Sequence, residues 1–159
     1  MYFDETDLCW GIWLSGYKVL FAPKSIVYHA SGSTASKLQE KARTYFHVRN
    51  HLLVLVKNYN LKNLFKALMV SILYEARTAV LFLTRQKPLV SQAIFKALIW
   101  NILHFKGTWK KRQTTQRLVR KVSDEEIQKV MLKPCPPFPF YLLYSRSRYL
   151  KRSIHSSER

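Results

Sequence analysis

Acidic residues are scarce in this chain. It holds 9 Asp and Glu against 27 Lys and Arg in 159 residues, a formal net charge of +18. Such an excess points to an anionic partner: nucleic acid, membrane headgroups or a phosphorylated substrate. Of these, nucleic acid is not expected, because no helix-turn-helix, zinc-finger or aromatic RNA-binding strand motif accompanies the charge. The 2 cysteines, Cys9 and Cys135, match no zinc or redox spacing, which suits a reduced, cytosolic protein. The N-terminus lacks the charged and apolar regions of a secretory signal. There is no G-x-G-x-x-G loop, no D-x-D pair and no internal repeat.

Long uncharged apolar runs are also missing, and a spanning helix needs roughly 20 such residues. Residues 67–74 stop at Lys66 and Glu75, and residues 78–84 lie between Arg77 and Arg85. Leu89–Phe105 is longer and is interrupted only by Lys96 and His104. Interfacial or buried helices are expected, with a single span at Leu89–Phe105 as the less favoured outcome. At 48% hydrophobic the chain can nevertheless build a sizeable core.

What is present is unevenly placed. Asp4, Glu5 and Asp7 put three of the nine acids within four residues. A cluster like this is either an acid/base or metal site, or the charged first turn of a helix. Thr6 can cap a helix running to about Ser15, which Gly16 ends in a left-handed turn. Tyr17, Val19 and Phe21 alternate as a short strand up to Pro23, and residues 25–29 form a second β-rich run. Residues 30–36 read as a loop. From Lys37 the period becomes helical: Tyr45, Val48, Leu52, Leu55 and Val56, then Leu61, Leu64, Phe65, Leu68, Ile72, Ala76 and Ala79. Pro88 opens a further helix. Residues 106–121 carry seven basic residues and no acid. Ser123 and Glu126 form a capping box for a helix to about Leu132, and the Pro-rich run from Pro134 ends it.

The segments F-D-E-T-D-L-C-W, L-S-G-Y-K-V and P-K-S-I-V-Y-H-A-S-G-S-T are followed by Tyr45-x-x-x-Arg49-Asn50 and Lys57-Asn58-Tyr59. Gln116 and Ser123-Asp124-x-Glu126 continue the series. In this order they resemble the C-terminal half of family 2 glycosyltransferases of the GT-A fold, closest to the rhamnosyltransferase-like branch. The resemblance implies an α/β fragment: the C-terminal edge of a Rossmann-like GT-A domain over residues 1–50, followed by a mostly α-helical amphipathic extension. That extension would be a membrane-associating region over 51–133, with a Pro-rich segment and basic tail over 134–159.

It further implies an inverting enzyme that uses a nucleotide-sugar donor and a lipid-linked or cell-envelope polysaccharide acceptor. The general base would be Glu5, with Asp4 beside it and Asp7 orienting the helix and loop. The usual order is acid then Asp, so the base stays open between Asp4 and Glu5. Gly11 stands where an Arg is common. His29 would ligate a divalent Mg or Mn ion, shared with a D-x-D site expected upstream of Met1. Gly32, Ser33 and Thr34 would meet substrate phosphates, Arg49 and Asn50 the acceptor or diphosphate, and Trp10 the acceptor-pocket wall. On this reading the chain is incomplete and inactive alone.

The interleaving of Phe65, Lys66, Trp100, Phe105, Lys106, Trp109 and Lys110 suits peripheral attachment to an anionic membrane surface, here its cytoplasmic face. The competing expectations are a non-catalytic, membrane-associated basic helical protein, in which the acids only cap a helix, and a small basic nucleic-acid-binding protein.

Overall fold

The computed structural model describes residues 2–28 and 39–131. Met1–Ile127 forms one compact unit, and Gln128–Arg159 is assigned to a second. Helices account for 77% of the described residues, and no strand occurs among them. The α/β expectation is therefore corrected to an all-helical fold. Residues 17–28, where two strands were expected, run without regular structure, and Leu20, Phe21 and Tyr28 are 82%, 89% and 96% exposed. The side-chain alternation is real. A strand, however, exists only when a neighbour bonds its N–H and C=O groups, and no described segment lies alongside to do so.

Helix α1 spans Asp4–Leu14. Its N-cap is Phe3, held at φ 65°, rather than the expected Thr6, so all three acids fall in the first turn. Gly16 (φ 85°) ends the helix as expected: its N–H donates to Trp13 O and the Tyr17 N–H to Ile12 O, closing two orphan carbonyls. Helices α2 (Glu40–Asn58), α3 (Leu61–Thr84) and α4 (Pro88–Leu103) follow, with α5 (Phe105–Thr114) running into a π turn at Thr115–Val119. The short α6 covers Asp124–Val130, and the Glu126 N–H donates to Ser123 Oγ at 3.4 Å, half of the expected capping box.

The core lies where α2 and α3 pack on α4. Val48, Ala79, Ile94 and Ala97 form it, and Tyr45, Phe82 and Leu98 close around them. The alanines let the helix backbones approach closely. This placement corrects the Leu89–Phe105 span. Helix α4 is 16 residues long, about 24 Å against a hydrocarbon core of about 30 Å, and its Val90, Ala93, Ile94 and Ala97 are buried in protein.

Helix α3 is the one described helix long and apolar enough to cross a membrane, and only 11% of its most apolar stretch is buried. It buries Leu64, Glu75 and Ala79 along one stripe. On the rest, Leu61, Phe65, Val70, Leu73 and Val80 are more than half exposed.

Glu75 is 4% exposed, and burial pushes its carboxyl up to about 7. Below pH 4.5 the group is protonated whether the chain is folded or not. Between 4.5 and 7 the unfolded chain releases the proton that the folded chain keeps, so stability falls over that window. Glu75→Gln should therefore add about 3 kcal/mol at pH 8 and almost nothing at pH 4. Urea unfolding at the two pH values measures this, and an equal effect at both would remove the buried-carboxyl explanation.

Candidate functional site

The start of α1 is fastened to α2 by aromatic rings. Phe3 stacks on His51 (centroids 5.2 Å apart, planes at 14°) and leans on His47 at 5.1 Å. Tyr2 meets His47 edge-on. The two histidines are one helical turn apart, so they present a single face to the incoming chain. Burial pushes His51 down to about 4, with a smaller contribution from His47, and burial lowers His47 as well. Burial thus favours the uncharged form of both rings.

This fastening aims the first turn of α1 at the middle of α2. Asn50 Nδ2 donates to Tyr2 O at 3.1 Å, and Arg49 Nε donates to Asn50 Oδ1 at 3.0 Å. Asp7 accepts from Lys57 Nζ at 2.5 Å and from Asn58 Nδ2 at 2.9 Å, so each of its oxygens already has a donor. Between these contacts lies a pocket of about 360 Å³. Its wall includes Asp4 and Asp7 from α1, Arg49, Asn50 and Lys57 from α2, and Thr108 and Lys111 from α5.

Four residues singled out in the sequence therefore meet in one cavity: Asp4, Asp7, Arg49 and Asn50. Glu5 is exposed and is not part of the pocket wall. Trp10 is also absent from it. Its side chain is 6% exposed, packs edge-on against Tyr59 (4.6 Å, 87°), and its buried indole N–H has no acceptor among the described residues. His29, Gly32, Ser33 and Thr34 lie outside the described residues, as does Cys135. Among the described residues no three His, Cys, Asp or Glu side chains are grouped to hold a metal ion. The described residues therefore do not by themselves fit the Mg or Mn ion that the resemblance implies.

A second cluster was not anticipated in the sequence. Helix α2 ends at Asn58 without a glycine, and its last carbonyls are taken up by side chains from far along the chain. Arg112 Nη1 donates to Val56 O at 2.7 Å and to Tyr59 O at 2.5 Å. Gln116 Nε2 donates to Lys57 O and Asn58 O, and Arg120 donates to Asn58 O and to Gln116 Oε1. Guanidinium groups suit a helix C-terminus, where carbonyl dipoles leave partial negative charge.

Asp124, 1% exposed, anchors the other side. Its Oδ2 accepts from the Asn60 N–H and from Asn63 Nδ2, both at 2.9 Å. Its Oδ1 lies 2.8 Å from Arg120 Nη2, an ion pair without hydrogen-bond alignment. Part of the basic run at 106–121 is thus internal. The sequence signal was the pairing of an uncapped Lys57-Asn58-Tyr59 with a distant Arg-x₃-Gln-x₃-Arg, one residue per helical turn.

No family model, curated protein or solved structure matches this chain.

Proposed function

We propose that the chain forms the acceptor-binding, membrane-docking part of an inverting glycosyltransferase that builds a lipid-linked or cell-envelope polysaccharide on the cytoplasmic face of the membrane. The observation that supports this most directly is the pocket itself. It draws Asp4 and Asp7 from one quoted motif and Arg49 and Asn50 from another into a single cavity with Lys57 and Lys111. Carboxylate, amide and cationic groups on one wall suit a polyhydroxylated, anionic ligand.

In this reading the Asp4 carboxylate takes the proton from an acceptor hydroxyl as that oxygen attacks the anomeric carbon of the nucleotide sugar in line. The departing nucleotide diphosphate leaves from the opposite side, and the configuration inverts. Asp7 holds α1 against Lys57 and Asn58 rather than exchanging protons. The donor's nucleotide and any Mg or Mn ion are held by groups other than those described, and no step is assigned to them.

Helix α3 supplies the dock. Its unpartnered apolar face lies beside exposed Lys62, Lys66, Arg77 and Arg85. Exposed Arg77 falls within about 7 Å of the helix midpoint, which favours a helix lying in the headgroup layer over one that spans. Alkaline carbonate should therefore release most of the protein from membranes. Retention in the washed bilayer would show that α3 crosses it.

Transfer itself is tested by offering radiolabelled nucleotide sugars to membranes from cells with and without the chain. Label entering the lipid-linked fraction only when the chain is present supports the reading. Membrane attachment with no chain-dependent transfer favours the non-catalytic helical protein, which shares the α3 face.

A further inference from the structure

We infer that Arg49 and Lys111 form a subsite for the phosphate or diphosphate group of the pocket's ligand. The inference rests on reading this pocket as an acceptor site, but it does not depend on transfer taking place.

The argument begins with what holds Arg49. Its guanidinium carbon lies 4.8 Å from the centroid of Phe46, 5.0 Å from that of Trp100 and 5.7 Å from that of Tyr45. Trp100 is itself stacked on His104 at 4.1 Å, with the planes at 11°. Three aromatic rings thus fix the position of one cation, and Nε is committed to Asn50 Oδ1. The two Nη nitrogens have no hydrogen-bond partner among the described residues. A guanidinium held in place with both terminal nitrogens unbonded among the described residues matches a pair of phosphate oxygens, and little rotamer freedom is left to lose on binding.

Lys111 reaches the same pocket from α5, exposed and without an ion-pair partner among the described residues. The local acids do not cancel this charge. Asp7 is neutralised by Lys57, and Asp4 is the one other carboxylate in a wall that also holds Arg49 and Lys111. A neutral sugar would leave that excess uncompensated, whereas a phosphate or diphosphate would meet it.

Three sources could present this group: a lipid diphosphate, a nucleotide diphosphate or the free anion. The full chain, in mild detergent, is titrated calorimetrically with farnesyl diphosphate, UDP and inorganic pyrophosphate. Saturable binding is expected, weakened ~10-fold by Arg49→Lys, which keeps the charge but loses the fork. Lys111→Ala should weaken it several-fold, while Lys110→Ala, outside the pocket, should not change it.

Farnesyl diphosphate binding tightest identifies a lipid-linked ligand, UDP binding tightest a nucleotide, and equal affinities a site for the bare anion. No saturable binding, or binding that neither Arg49→Lys nor Lys111→Ala alters, overturns the subsite. Lys111 is exposed, so its variant keeps the fold and decides the matter even if Arg49→Lys unfolds. Binding without chain-dependent transfer would retain the subsite and reject the transferase reading. Transfer that survives both substitutions would do the reverse.

Discussion

Under the proposed reading, replacing Asp4 with asparagine in the reconstructed full-length enzyme should lower the rate of sugar transfer by ~10²–10⁴-fold at saturating donor, the usual contribution of a general base. The same change in a helix first turn costs well under that, about 0.3–1 kcal/mol of dipole interaction, so folding and membrane binding should persist. Glu5→Gln is the informative comparison. Glu5 is one residue further along α1, exposed and off the pocket wall, so its variant should retain near-normal turnover. Loss of turnover in Glu5→Gln with an active Asp4→Asn would return the base to Glu5, where the sequence resemblance put it. Losses of only a few-fold in both would leave the cluster as the charged start of a helix.

Asp124→Ala should destabilise the fold by about 3–5 kcal/mol, the range for removing one partner of a buried ion pair. Three losses combine. The N–H of Asn60 and the amide of Asn63 lose their acceptor, and Arg120 loses its carboxylate partner, keeping only neutral acceptors. For a chain of this size the midpoint of thermal unfolding should drop by roughly 10 °C. Asp124→Asn should cost less, since an amide oxygen still accepts from both asparagines. Far-UV circular dichroism melts measure both, and a drop in Asp124→Ala of only a degree or two would show that the network contributes little.

The helices were legible in the sequence because their signals are local. The period of Tyr45, Val48, Leu52 and Leu55 marks the inward face of α2, Pro88 opens α4, and Gly16 closes α1. The helix start at Asp4 was less clear, since Thr6 is the better cap by residue type. Phe3 takes that place because its ring stacks on His51, a contact 48 positions away that no window of sequence displays. The strands failed for the same reason in reverse: Tyr17, Val19 and Phe21 have the right pattern, and pattern cannot supply a pairing partner. In the pocket, the motif residues stood out, but Lys111 did not. It sat in a basic run whose members differ completely in fate, Arg112 being 4% exposed and Lys111 open to the pocket.

The side-chain clamp on α2 has a consequence for the order of synthesis. Among the described residues, the carbonyls from Val56 to Tyr59 receive their side-chain donors from residues 112, 116 and 120, more than fifty positions later in the chain. A nascent chain that has emerged only as far as α3 has no means to close that end. Meanwhile the buried stripe of α3, with Glu75 and Ala79, is already out of the ribosome while α4, against which α3 packs, is not yet in place. Contacts of such sequence separation form slowly, because the loop between them must close first. The C-terminal end of α2 is thus among the last parts of the fold to be completed.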